Sequence, residues 1–189
     1  DIMLDFTNFY AEMGGQVADT GRVENETFKA TVTGVISAPN KQHMLHLTGV
    51  QGTLNVGDEL NQIVDTTMRA KIQRNHTATH LLQKALKLTV GDHINQAGSS
   101  VDSERLRFDF THFEKLTDEQ LNEVERKVNE EIFNALPVTI EEMAIEDAKA
   151  KGAMALFSEK YGNTVRVVSV ADYSIELCGG CHVSNSAEI

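Results

Sequence analysis

The spacing of hydrophobic positions changes partway along the chain. Up to Asp65 they fall in short runs rich in Val, Ile, Leu and Thr: Phe28 to Ser37, His43 to Val50 and Glu59 to Asp65. Pro39-Asn40 and Gly57-Asp58 break these runs as turns, so the spacing predicts a small β-barrel. Upstream, Met13-Gly14-Gly15-Gln16 and Asp19-Thr20-Gly21 read as turn clusters. With no helix evident after them, Gly14 and Gly15 read as turn formers rather than a phosphate cradle.

Beyond Thr66 the period lengthens. Leu81, Leu82, Ala85 and Leu88 fall on one stripe of a helix predicted over His76 to Leu88, and Gly91 marks its end. Arg105 to Phe110 then alternates, with Leu106, Phe108 and Phe110 on one face, as a half-buried strand requires. Thr117 and Gln120 make a capping-box pattern ahead of Leu121, Val124, Val128 and Ile132, and Pro137 closes that helix. Val138 to Ile145 and Thr164 to Val170 read as strands, with a helix over Glu146 to Phe157 between them. The expected fold class is therefore α+β: a small N-terminal β-barrel over residues 1–68, followed by an α+β domain over residues 69–189. The boundary rests only on the change of period.

A chain of 189 residues, 41% of them hydrophobic, can bury one large core or two small ones. No apolar run approaches the roughly 18 residues that span a bilayer, so no membrane role is expected. The chain starts at Asp1 and shows no basic segment leading into an apolar core; it reads as an excised fragment without a signal peptide. The net charge of −11 argues at face value against a polyanionic partner. Its distribution softens that argument, because Arg69 to Arg107 carries a local balance of +4 while Glu114 to Asp147 carries −8. Lys71, Arg74, Lys84 and Lys87 are candidate phosphate contacts, set against the simpler reading of a solvated helix face. Arg107 is either a further contact or the ion-pair partner of Asp109 on the same strand face.

Cys178 and Cys181 are the chain's two cysteines, with two residues between them and His182 following at once. A disulfide across so short a loop removes little chain entropy, so metal or redox chemistry in a reducing, cytoplasmic setting fits better. His76 and His80 are four apart and share a helix face. Together with Cys178 and His182 they offer three imidazoles and a thiolate, a set suited to zinc rather than to calcium or magnesium. A purely structural zinc is the plainer alternative, since four protein ligands leave no open position. A His-Glu-x-x-His metalloprotease is excluded, because Thr77 stands where its general base would be.

Three stretches carry a more specific signal. Arg74-Asn75-His76-Thr77-Ala78-Thr79-His80-Leu81-Leu82, Leu106-Arg107-Phe108-Asp109-Phe110 and Glu176-Leu177-Cys178-Gly179-Gly180-Cys181-His182-Val183 resemble, in order, the editing domain of alanyl-tRNA synthetases. Phe9-Tyr10-Ala11-Glu12-Met13-Gly14-Gly15-Gln16-Val17-Ala18-Asp19-Thr20-Gly21 resembles the start of the small β-barrel that precedes it. That wording is closer to the full synthetase than to the freestanding editing proteins of the same superfamily. The resemblance implies a zinc-dependent hydrolase that removes serine or glycine from mischarged alanine tRNA. The partners it implies are that tRNA and the remainder of the synthetase. It implies His76, His80, Cys178 and His182 as metal ligands, with His76, His80 and Gln96 as the catalytic set. In Ile94-Asn95-Gln96-Ala97-Gly98, the Gln96 amide would bond a serine hydroxyl or orient water. One departure stands out: the family pattern is Cys-Gly-Gly-Thr-His, and Cys181 replaces the threonine. Cys181 could compete for the ion or oxidise with Cys178.

Overall fold

The computed structural model describes residues 1–40, 42–154 and 162–189. Its first part is an antiparallel sheet of β1 (Ile2–Met3), β2 (Gly21–Glu24), β3 (Phe28–Ser37), β4 (His43–Gly52) and β5 (Asn61–Val64), in the order β1-β4-β3-β2-β5. Alternation along β3 buries Phe28, Ala30 and Val32 and turns Lys29, Thr31 and Thr33 outward. A register shift between Val32 and Gly34 then moves the next buried position to Val35, as a bulge does by inserting one residue. These residues pack with Phe9, Ala11, Val23 and Leu45 in one core.

The expected barrel does not close. Among the described residues the edge strands β1 and β5 share no ladder, and the sheet stays open. β1 pairs only Ile2 and Met3, both with β4, and so short a strand cannot supply the staggered ladder that closure requires. A side chain bridges the gap instead: Gln62 of β5 accepts from Thr7 Oγ1 at 2.7 Å and donates to the Phe6 carbonyl at 2.9 Å.

Helix α1 (Thr66–Val90) begins ten residues before the start predicted at His76, capped by Asp65, whose carboxylate accepts from the Thr67 and Met68 amides. Its first turns carry polar groups rather than a stripe, which is why periodicity missed them. Near its end Leu86 is buried and Leu88 is 55% exposed. The reason is that its neighbours meet the helix on the side of Leu82, Ala85 and Leu86. Those neighbours are the hairpin of β6 (Gln96–Val101) with β7 (Leu106–Phe110), and helix α2 (Asp118–Phe133). On β7, Phe108 and Phe110 pack against Val124 and Val128 of α2. The capping box of α2 is formed as its sequence predicts, with Thr117 and Gln120 each accepting the other's backbone amide.

The remaining sheet has the order β10-β9-β8, built from β8 (Val138–Ala144), β9 (Thr164–Val170) and β10 (Ser174–Leu177). The helix expected over Glu146 to Phe157 is α3 (Ile145–Ala150), followed by a turn at Lys151 and Gly152. Gly152 has a φ of +82°, outside helical space. Residues 155–157 of that expectation lie outside the described residues.

The segment before β2 straps across α1. Asp19, buried, pairs with Arg69 and accepts the Tyr10 amide, and Arg69 also donates to the Asn8 carbonyl at 2.7 Å. Further along, Val101 of β6 donates to the Gly15 carbonyl at 2.8 Å and accepts from the Val17 amide at 3.1 Å. Gly15 is obligatory there, because a Cβ on it would lie 2.5 Å from Ser99 Oγ and its φ is +87°. Residues 13–17 thus pack on the second part of the chain although in sequence they lie between β1 and β2 of the first sheet.

Candidate metal centre

Helix α1 presents His76 and His80 on one buried face, with ring centroids 5.4 Å apart. Cys178 follows β10 directly, and the Gly179-Gly180 turn returns the chain so that His182 enters between them. Its ring centroid is 4.3 Å from that of His76 and 4.6 Å from that of His80. One ligand atom from each of these four residues lies within 4.8 Å of all the others. Cys178 Sγ is 3.5 Å from His76 Nε2 and 3.3 Å from His182 Nε2. Tetrahedral zinc with ordinary Zn–N and Zn–S bonds sets nitrogen and sulfur about 3.5 Å apart, so the donors fit. His80 Nδ1 is buried without a hydrogen-bond partner, and its lone pair is one a cation would satisfy.

The electrostatics agree with that fit. Burial first, and then His80 and Arg166, hold the His76 pKa down to about 3. Burial and Arg166 lower His80 to about 4, and burial leads the depression of His182. All three rings are therefore neutral at pH 7, with lone pairs available. Burial pushes the Cys178 thiol up to about 11, opposed by the Gly180 amide. A cation that displaces the thiol proton removes the penalty of an unpaired buried thiolate.

A second layer holds these ligands. Gln16 Oε1 accepts from His76 Nδ1 at 2.7 Å and from the Cys181 amide at 2.8 Å. Thr77 Oγ1 is 3.0 Å from His182 Nδ1 and accepts the Val183 amide. Glu176 Oε2, buried, is 3.8 Å from His80 Nε2, and burial raises its pKa to about 7 against the bond from Ser174. Arg166 Nη1 donates to the carbonyls of Cys178 and Gly180 at 2.7 and 2.8 Å, clamping the turn.

None of these four was given a role beside the candidate ligands from sequence. Arg166, the one charged residue in the valine-rich run Val165 to Val170, was a usable signal. Gln16 gave none, because it reads as part of a turn and stands 60 residues from its partner His76.

A cavity of about 580 Å³ opens on the cluster and is lined by His76, His80, Cys178, Gln96, Ser99, Arg166 and Tyr10, among others. Gln96, the first residue of β6, donates to Ser99 Oγ at 3.2 Å on the cavity wall. The structure thus brings five of the candidate residues to one site: the quartet and Gln96. Cys181 falls outside the quartet.

The basic candidates are more scattered. Lys71 lies 3.6 Å from Glu104, and Arg107 pairs with Asp109 at 3.0 Å. Arg74 is exposed, and Lys84 and Lys87 are half-buried on α1, close enough to Glu176 to oppose the rise of its pKa. Among the described residues no helix is long and apolar enough to cross a membrane.

Residues 1–68 match the family of class II (A) tRNA synthetases, and residues 165–189 match the second additional domain of threonyl and alanyl tRNA synthetases. The chain is 55% identical to the alanine–tRNA ligase of Halalkalibacterium halodurans over 188 residues, which is 100% of this chain and 21% of that protein. The ligase of Lysinibacillus sphaericus matches at 55% and that of Listeria monocytogenes at 56%, each over 100% of this chain and 21% of the relative. The chain therefore spans about a fifth of the length of the relatives it matches.

Proposed function

We propose, on the premise that this chain belongs with the alanyl-tRNA synthetase family, that it is the proofreading hydrolase part of such an enzyme, cutting serine or glycine from mischarged alanine tRNA. The observation that carries this reading is the convergence of three neutral imidazoles and a thiol in one cluster, of which His76, His80 and Cys178 line a cavity of about 580 Å³ that also holds Gln96. That volume lies within the range of small-molecule sites. A closed structural site would not need such an opening.

In this reading His76, His80, Cys178 and His182 hold zinc. Bound there, zinc supplies Lewis acidity for an ester that is already activated relative to an amide. The residues of the chain do the rest. Gln96, with Ser99 holding its amide, bonds the hydroxyl of a seryl group or orients water at the ester. Arg166 keeps the Cys178-to-Gly180 turn in place. Alanine tRNA is the partner, and Arg74, Lys84 and Lys87 are its proposed phosphate contacts. Arg107 and Lys71 are weaker candidates, because each already has a carboxylate partner.

Deacylation of Ser-tRNA(Ala) by the purified chain tests the reading. The wild type should release serine, and His76→Ala and Cys178→Ala should abolish release while the fold is kept. Normal turnover in either folded variant would sink the catalytic-site reading and leave a tRNA-binding module with structural zinc.

A further inference from the structure

Gln16 belongs to the strap between β1 and β2 of the first sheet, yet it is 0% exposed and its side chain ends inside the candidate ligand cluster. Its amide orientation is settled by chemistry. The Cys181 amide can only donate, so the atom facing it at 2.8 Å must be the Gln16 oxygen. The same oxygen lies 2.7 Å from His76 Nδ1. An oxygen there accepts, so Nδ1 carries the proton and the lone pair of His76 sits on Nε2, the atom 3.5 Å from Cys178 Sγ. Thr77 cannot do the same for His182, since a hydroxyl both donates and accepts.

From this geometry we infer that Gln16 is a positioning residue of the metal centre: it fixes the tautomer of His76 and ties the Cys178-to-His182 turn to α1 through one oxygen. The strap's other contacts place that oxygen. Gly15 and Val17 are bonded on either side of it to Val101 of β6, and Asp19 is locked to Arg69. The N-terminal part of the chain therefore completes the metal site of the C-terminal part. Outer partners of metal-bound histidines characteristically set ring orientation and ligand basicity in this way. The inference rests on reading the quartet as a zinc centre, and its test does not depend on hydrolysis.

Zinc affinity is measured by chelator competition on the 189-residue chain, wild type against Gln16→Met and Gln16→Glu. Methionine keeps the bulk and removes the acceptor, and should weaken zinc binding about 10- to 100-fold. Glutamate restores an acceptor for both donors and should hold affinity near wild type. A merely structural Gln16 would lower the Tm of the zinc-free variants and leave the zinc Kd unchanged, which overturns the inference. Long-range proton–nitrogen NMR of the zinc-loaded wild type reads the tautomer directly, so a variant that fails to fold does not block the test. A proton on His76 Nδ1 supports the role, and its absence overturns it. If the wild type binds zinc and Gln16→Met binds it equally, only this inference fails. If the wild type binds no zinc, the proposed function fails with it. If zinc binding follows Gln16 but seryl-tRNA is untouched, the hydrolase reading fails alone.

Discussion

A Cβ added to Gly180 would lie 2.0 Å from Cε1 of His76 and 2.4 Å from its Nδ1. The turn between Cys178 and His182 thus passes directly over the imidazole, and glycine is the residue that allows it. Gly180→Ala should push the ring off its position, weaken zinc binding at least tenfold and destabilise the fold by about 1–3 kcal/mol, as overpacking does. Gly179→Ala meets only the terminal methyl of Met13, at 3.2 Å, which can move aside. Zinc titration and thermal unfolding of both variants check the contrast, and equal behaviour would contradict it.

The two cysteines should separate cleanly. Cys178→Ser removes the only sulfur in the quartet and should lose zinc. Cys181→Thr should keep both stoichiometry and affinity, since its backbone amide rather than its sulfur contacts Gln16. Metal analysis of the two purified proteins decides this, and loss of zinc in Cys181→Thr would mean that Cys181 is a ligand.

Arg166→Met should loosen the turn, because two carbonyls lose their shared donor. A cost of about 1–3 kcal/mol is expected from leaving them unsatisfied, together with weaker zinc binding. Denaturant unfolding measures the first and chelator competition the second. An unchanged zinc Kd would show that the turn holds its shape without the clamp.

Acid should destabilise the zinc-free protein. The folded pKa values of His76 and His80, about 3 and about 4, lie below the ordinary value of 6.5. The stability linked to them is therefore present above pH 6.5 and is lost as pH falls from there toward the folded values. Between pH 7 and pH 5 the unfolded chain gains protons that the folded chain does not, costing about 2 kcal/mol for each histidine. Urea unfolding of chelator-treated protein at the two pH values reads this directly. No loss of stability would mean that the rings are not buried neutral.

Gln96→Ala bears on specificity. If its amide bonds the seryl hydroxyl, the kcat/KM for Ser-tRNA(Ala) should fall about 3- to 10-fold, the worth of one neutral hydrogen bond. Gly-tRNA(Ala), which offers no hydroxyl, should lose less. Equal losses would assign Gln96 to water or to the ester rather than to the side chain.

Local signals determined much of this protein. Runs rich in β-branched residues over Phe28 to Ser37 and Thr164 to Val170 matched the bounds of β3 and β9, because such side chains suit the pleated, partly buried surface of a strand. The capping residues Thr117 and Gln120 marked the start of α2, because their bonds close within one turn. The i, i+4 spacing of His76 and His80, and of Cys178 and His182, named four candidate ligands, since each pair is brought together by a few residues of backbone.

Tertiary structure alone decided what joins those pairs and what surrounds them. The sheet stayed open because β1 is too short to reach β5, a matter of strand length that hydrophobic spacing does not encode. Gln16, Arg166 and Glu176 reach the quartet from the strap, β9 and β10. Their contacts come from long-range packing, in which residues far apart in the chain meet, and no local period records that. The sequence alone could name the four candidate ligands; only the packed chain could supply the oxygen and the guanidinium that hold them around one point.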